Sequence, residues 1–295
     1  MVNVIAAIGN FDGVHLGHQY LLRETKAFAD QHDARAGVVL FEPHPRKYFR
    51  PDDAPFLLTT SEQRDAILRN HGAEEIFTLT FDNDLASLTP EAFVSDILKN
   101  QLGLAGVVTG ADFRFGKGRA GDGAALQSLG DQAGLKVKLI DVLSDDAASE
   151  KFGSSAVRAA LQDGDIKAVS HLLGRPWVVR GVAVEGQKLG RTLGFPTANM
   201  TLGDYIEPNR GVYAVRVTVD GATYPGVANF GRRPTVGADA PLLEAHLFNF
   251  EGDLYGKTLD VAFIDFLREE RKFDGLDALK AQIEKDCEEA RAMLS

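Results

Sequence analysis

Two imidazoles three residues apart, His15 and His18, close the stretch Gly9-Asn10-Phe11-Asp12-Gly13-Val14-His15-Leu16-Gly17-His18, which follows the apolar run Val4–Ile8. The run reads as a buried strand that stops at Gly9, turns through small residues and enters a helix near His18. Such a junction aims backbone N–H groups and a helix N-terminus at one spot, a setting made for phosphate. Gly9, Phe11, Asp12 and Gly13 are the candidate contacts, and the two imidazoles add donors for the same anion. The chemistry implied is a grip on the triphosphate of a nucleotide. The spacing is neither a Walker A loop, since no Gly-Lys-Ser/Thr follows, nor a dinucleotide Gly-x-Gly-x-x-Gly turn.

Other segments carry residues of the same kind. Phe41-Glu42-Pro43-His44-Pro45-Arg46 leaves a strand as a proline-stiffened exit on which His44 and Arg46 can hold phosphate. Gly110-Ala111-Asp112-Phe113-Arg114-Phe115-Gly116-Lys117-Gly118-Arg119 mixes aromatics, cations and glycines, a loop suited to packing a planar ring. Phe152-Gly153-Ser154-Ser155-Ala156-Val157-Arg158 reads as a helix start with Ser as N-cap and Arg one turn inside, and by itself it is only a capped helix. Gly186 to Asn199 is a glycine-rich basic loop ending in a stiff Pro-Thr-Ala-Asn turn. Gly190, Arg191 and Gly194 can curl around phosphate oxygens there, while Thr197 and Asn199 offer uncharged oxygens to a hard Mg²⁺. Glu244 lies two residues before His246 on one strand face, placed either as a base or simply toward solvent.

The elements that must position these groups fall into two grammars. In the first half, strand-like runs at Val4–Ile8, Gly37–Phe41, Glu75–Phe81, Val107–Gly110 and Val137–Val142 alternate with amphipathic stretches at Leu21–Ala29, Glu62–His71 and Glu91–Leu102. That alternation predicts right-handed βαβ crossovers and a parallel sheet, with ligands beyond the carboxyl ends of its strands. Gly9, Pro43–Arg46 and Gly110–Asp112 all fall at such ends. In the second half, Val178–Glu185, Gly211–Val219, Tyr224–Phe230, Leu242–Phe248 and Leu259–Phe266 follow one another without intervening helices, which predicts an antiparallel barrel. A last helix carries Leu276, Leu279, Ile283, Cys287 and Ala290 as an apolar stripe. The change near Gly174-Arg175-Pro176 divides the chain into an α/β domain, 1–173, and a barrel domain, 174–295.

Composition narrows the field of functions. The chain has 295 residues, enough for two cores, and a formal net charge of −10, which argues against nucleic acid as a partner. Cys287 is the single cysteine, so neither an internal disulfide nor a thiolate zinc cluster is open to it. No run approaches a membrane span and no basic, apolar leader precedes Val4, so a cytoplasmic protein is expected. Nothing in the sequence signals an oligomeric state.

The motifs also resemble known families. The opening stretch is similar to the His-x-Gly-His signature of the nucleotidylyltransferase superfamily, in the longer form of bacterial FAD synthetases. With Phe-x-Pro-His-Pro-Arg and Asp-Phe-x-Phe-Gly, the likeness covers nearly all of residues 1–173. In that superfamily a Ser/Thr-Ser/Thr-x-Ile-Arg stretch grips the triphosphate. Ser154, Ser155 and Arg158 match it, with Gly153 where a further Ser commonly stands. Residues 186–199 resemble the hallmark loop of riboflavin kinases. Gly211–Ala214, Asn229–Thr235, Glu244 and Leu267–Phe273 fall where that family has them, so this second likeness spans roughly residues 175–285.

The resemblance implies a bifunctional riboflavin kinase/FAD synthetase of bacterial type, with a Rossmann-like nucleotidylyltransferase domain and a barrel. Its substrates would be riboflavin, FMN and ATP, and FAD its product. In the first domain the FMN phosphate would attack the α-phosphorus of ATP and expel pyrophosphate. That phosphate is already ionised, so His15, His18, Arg158 and Mg²⁺ would neutralise charge rather than move protons, with Asp112, Phe113 and Phe115 against the flavin. In the second domain the ribityl hydroxyl needs a base, for which the family nominates Glu244. Arg268 and Phe273, on the loop before the last helix, are candidate flavin contacts, and Asn229 and Arg233 either contact flavin too or simply fix their loop. Two other readings stand beside it. One is a single working activity, with the other domain a flavin-binding regulator. The other is a non-catalytic flavin binder, against which Thr197 and Asn199 argue, since a carrier needs no metal–ATP site.

Overall fold

Val4–Ile8 (β1) carries no polar residue because both of its faces are covered. Ile5 and Ala7 pack with Leu21, Leu22 and Ala29 of Leu16–Asp30 (α1), whereas Ala6 and Ile8 pack with Val94, Leu98 and Leu126. The computed structural model of the chain describes residues 3–141, 144–145, 150–185, 194–231 and 241–295. Around β1 it builds a five-stranded parallel sheet with Arg35–Glu42 (β2), Glu75–Thr80 (β3), Gly106–Gly110 (β4) and Lys136–Ile140 (β5), in the order β3-β2-β1-β4-β5. Winding starts at β1 and runs outward both ways, so the crevice expected at the reversal opens beyond the carboxyl ends of β1 and β4.

The crossovers are mostly those the sequence predicts. Pro45–Phe49 (α2) and Ser61–Asn70 (α3) join β2 to β3. Asn83–Ala86 (α4), Pro90–Ala92 (α5) and a widened π-helical run Phe93–Gln101 join β3 to β4, and Gly123–Ala133 (α6) joins β4 to β5. The short ribbon Ser144–Asp145 (β6) with Glu150–Lys151 (β7) follows.

The second half begins with Ser154–Asp163 (α7) and Ile166–Leu173 (α8), and its strands are Trp177–Val182 (β8), Ala198–Thr201 (β9), Gly211–Val219 (β10), Ala222–Gly231 (β11), Leu242–Leu247 (β12) and Thr258–Glu269 (β13). They pair antiparallel in the order β8-β13-β10-β11-β12-β9, and a bridge between Val184 and Asn199 returns the last strand toward the first, so the barrel is nearly closed. Tyr213, Val215, Val217 and Val219 share the buried face at period two, as expected. Leu276–Leu294 (α9) covers the outer face of β10 and β11. Cys287, Ala290 and Leu294 pack there on Val212, Ala214, Val227 and Phe248. Leu276, read as the start of that stripe, is instead 56% exposed, because packing begins only near Ile283.

One expectation is corrected here. Ala198–Thr201 is a strand, not the end of a turn: Ala198, Asn199 and Met200 are buried and pair with β12. Packing groups the chain without reference to the sequence boundary at residue 173. The compact units are Met1–Ala54 with Ser61–Gly153, and Pro55–Thr60 with Ser154–Ser295. Helices α7 and α8 go with the barrel because Ile166, Val169, Leu172 and Leu173 bury one face of α8, which packs on β8 and β13. Pro55–Thr60 joins the same unit as a strap. Leu57 N–H donates to Asp204 O (3.0 Å), Ile206 N–H donates to Leu57 O (2.9 Å), and the buried Trp177 indole donates to Leu58 O (2.9 Å).

Candidate active sites

At the N-terminal site the loop after β1 is shaped by left-handed backbone: Phe11 at φ 53°, Gly13 at φ 80° and Val14 at φ 42°. Strain of that kind in non-glycine residues is kept where the surroundings fix it. Here Phe11 and Val14 are fully buried and Val14 N–H closes the turn on Phe11 O (3.1 Å). The helix opens at Leu16, earlier than expected, with His15 as its cap: His15 Nδ1 accepts from His18 N–H at a long 3.4 Å. In the neutral ring this leaves the proton on Nε2. The two imidazoles stack with centroids 3.7 Å apart, and Phe11 props His18 from below at 4.9 Å. Burial, and then His15, holds the His18 imidazole well below its ordinary value, so it is neutral near pH 7. Its Nδ1 is buried without a hydrogen-bond partner among the described residues. Gly17 permits this geometry. A Cβ there would sit 3.1 Å from the His15 ring and 3.3 Å from Phe152 O.

The cleft beside this loop measures about 780 Å³, and its lining joins the segments the sequence placed at strand ends. Gly9 and Asn10 come from the end of β1, His44–Arg46 from the end of β2, and Asp112–Gly116 from the end of β4. The three flavin contacts nominated for this domain, Asp112, Phe113 and Phe115, are in it. Phe113 and Phe115 lie nearly parallel at 5.7 Å, and Phe93 tilts against Phe115 at the same distance. Phe41, Phe81 and Phe93, which sequence reasoning did not single out, complete an aromatic wall, with Phe49, 64% exposed, at its edge. Arg46, Arg50, Arg114 and Arg119 supply a cationic rim, Arg46 being held by Asp53 (2.9 Å) and Arg114 by Asp122 (3.2 Å). The Pro-His-Pro exit is itself a helix start: His44 Nδ1 accepts from Arg46 N–H (3.1 Å), with Pro45 in the first turn. Such a cavity can take a flat ring on its aromatics and an anion on its arginines.

In the barrel, strand register decides what meets. Glu244 on β12 is directly opposite Asn199 on β9 and Asn229 on β11. Asn229 is in turn opposite Val212 on β10, and Val212 opposite Arg268 on β13. Directly opposed residues share a face with Cβ atoms about 5 Å apart, so Asn199, Glu244 and Asn229 form one row. Asn199 is 2% exposed and its Oδ1 lacks a hydrogen-bond partner among the described residues. A buried orphan carbonyl of this kind, next to the half-buried Thr197, fits a hard cation that draws its other ligands from water and phosphate. Among the described residues no cluster of three His, Cys, Asp or Glu could hold a metal by itself. His246, on the same strand face as Glu244, donates from Nδ1 to Pro196 O at 2.8 Å, and burial lowers its pKa.

Several nominated residues stand differently from the sequence reading. Arg268 is on β13, not in the loop before the last helix. It is clamped bidentately by buried Asp286 (2.9 and 2.7 Å), which also accepts from Gln282 Nε2 at 2.6 Å. Phe273 lies under the guanidinium groups of Arg268 (5.7 Å) and Arg271 (5.0 Å). Ser154 and Ser155 occupy the first turn of α7. Arg158, one turn on, donates from Nε to Phe56 O (2.8 Å) and lies over the Phe56 ring at 5.4 Å. Gly194 is exposed at the near side of β9, whereas Gly190, Arg191 and Arg233 lie outside the described residues.

Comparison with known proteins adds to this geometry. A family model described as FAD synthetase matches residues 2–156, and one described as riboflavin kinase matches residues 173–294. Two curated proteins called bifunctional riboflavin kinase/FMN adenylyltransferase are close relatives. That of Haemophilus influenzae is 40% identical, with 98% of this chain and 93% of its own length covered. That of Pseudomonas fluorescens is 42% identical, with 98% and 92% covered. A crystal structure from Streptococcus pneumoniae, described as a macrolide-efflux protein, superposes with a TM-score of 0.89 at 31% identity over 98% of this chain and 94% of that one. No helix among the described residues here is long and apolar enough to cross a membrane. Matched in order and over nearly its whole length, the chain belongs to the bifunctional riboflavin kinase/FMN adenylyltransferase family.

Proposed function

We propose that the chain converts riboflavin to FMN and FMN to FAD, with the kinase in residues 174–295 and the adenylyltransferase in residues 1–173, and that it does so in the cytoplasm. The observation that carries the kinase assignment is the row Asn199, Glu244 and Asn229 across three adjacent strands. Glu244 takes the proton of the ribityl 5′-hydroxyl as its oxygen attacks the γ-phosphorus of ATP and ADP leaves. Thr197 and Asn199 would hold Mg²⁺, which when bound neutralises phosphate charge. Arg268 and Phe273 border the flavin.

In the first domain the aromatic cleft takes the isoalloxazine. His15 and His18 stabilise the charge that builds as FMN phosphate oxygen bonds to the α-phosphorus and pyrophosphate departs. No proton has to be abstracted there, in keeping with a His18 that is neutral and desolvated. Gly9, Phe11, Asp12 and Gly13 shape the phosphate loop. Ser154, Ser155 and Arg158 are nominated for the triphosphate on the motif alone, and Gly190, Arg191 and Gly194 for the phosphates of the kinase reaction.

Incubation of the protein with riboflavin, ATP and MgCl₂, followed by chromatography of the flavins, tests the whole reading. FMN followed by FAD is expected, and FMN without FAD overturns the double assignment. Glu244→Gln is expected to abolish FMN formation while FAD formation from supplied FMN survives.

A further inference from the structure

We propose that His246 is a positioning residue of the kinase reaction: its Nδ1–H holds the Pro196 carbonyl and so sets the turn that presents Thr197 and Asn199. This rests on the reading of those two residues as the magnesium–ATP contacts. A carbonyl oxygen only accepts, so the 2.8 Å contact places the ring hydrogen on Nδ1. The imidazole also makes T-shaped contacts with Phe195 (5.6 Å, 86°) and Phe248 (5.8 Å, 69°), which add to its hold on this part of the chain. Phe195 and Pro196 are consecutive, so one side chain grips the chain twice just before Thr197.

The register explains why a side chain is needed. Pairing of β12 with β9 runs from Leu242↔Thr201 to Ala245↔Ala198 and stops. Continued, the register would set His246 opposite Thr197 and Leu247 opposite Pro196. Pro196 has no N–H to extend the ladder, so the His246 side chain takes the place of the missing rung. Because β12 also carries Glu244 on the same face, one strand fixes both the base and the turn holding the phosphate end.

The test compares His246→Phe, which keeps the ring but loses the donor, with His246→Asn, whose amide restores a donor near Nδ1. In FMN formation by the full chain, His246→Phe is expected to raise KM for MgATP about tenfold (about 1.4 kcal/mol). The KM for riboflavin, and FAD formation from supplied FMN, should stay unchanged, and His246→Asn should recover most of the loss. Without nucleotide, hydrogen exchange across residues 194–201 should quicken in His246→Phe and return in His246→Asn. A wild-type KM for MgATP in His246→Phe, or equal impairment in both variants, overturns the proposal. Asn199→Ala separates the two levels of argument. If it leaves the Mg²⁺ dependence of FMN formation intact, the metal reading itself falls. If it shifts that dependence while His246→Phe does not, only the positioning role falls.

Discussion

A neutral, desolvated His18 makes a definite statement about protons. Free imidazole titrates near pH 6.5, and burial holds this one well below that. Between the two values the unfolded chain binds more protons than the folded one, so stability falls as pH drops below about 6.5. The melting temperature should therefore decline between pH 7 and pH 5 more steeply in the wild type than in His18→Gln. A bound triphosphate favours the imidazolium, so ATP binding should take up a fraction of a proton that His18→Gln does not. Calorimetry in buffers of different ionisation enthalpy reads that uptake directly, and identical values in both proteins would refute it. Gly17 is the steric counterpart. Gly17→Ala presses a methyl on the His15 ring at 3.1 Å and on a backbone carbonyl at 3.3 Å, which should cost about 1–3 kcal/mol and most of the FAD synthesis, with FMN formation intact. A variant with wild-type FAD synthesis would show that the His15–His18 stack is not the working geometry.

Elements were legible where burial imposes a period. β1 is predicted residue for residue, as is β10, because a strand covered on both faces or alternating into a barrel writes its pattern plainly. Shorter elements were not. Ala198–Thr201 has only four residues behind a proline, too few for alternation to show, and its strand character comes from β12. α2 begins on Pro45 behind a histidine cap, and α1 also opens on a histidine, a residue seldom read as a cap because Ser, Thr, Asp and Asn do that work more often. The aromatic wall was half legible. Phe113 and Phe115 share one loop, but Phe41, Phe81 and Phe93 leave different strand or helix ends and meet only once the sheet order is known. The β11–β12 ladder that aligns Glu244 allows a test at this scale. Gly226 lies opposite Leu247, and a Cβ there would be 2.4 Å from His246 O, so Gly226→Ala must push the two strands apart. FMN formation should fall at least tenfold, with FAD formation from supplied FMN unchanged; equal loss of both activities would point to general misfolding instead.

For the whole molecule, an acidic chain that handles anionic substrates has to concentrate its cations, and Arg46, Arg50, Arg114 and Arg119 around one cleft do that. What the sequence concealed at this scale is where packing divides the chain. The two family matches, 2–156 and 173–294, leave most of α7 and α8 to neither. Gly174-Arg175-Pro176 looks like a linker because a left-handed Gly174 ends α8 and Pro176 prevents its continuation. A chain break in secondary structure is not a break in packing, however. Val157, Leu161, Ile166, Val169, Leu172 and Leu173 are all buried, and α8 lies on β8 and β13 of the barrel. Each such side chain stabilises by roughly 1.5–3 kcal/mol when fully buried, before the entropy of ordering the helices is subtracted. A fragment of residues 154–295 should then melt at least about 10 °C above one of residues 174–295, a difference of a few kcal/mol at this size. Both fragments lack the Pro55–Thr60 strap, so the comparison isolates the two helices. Equal melting temperatures would mean that α7 and α8 rest on the barrel without holding it, and that the break at Gly174 is a packing boundary after all.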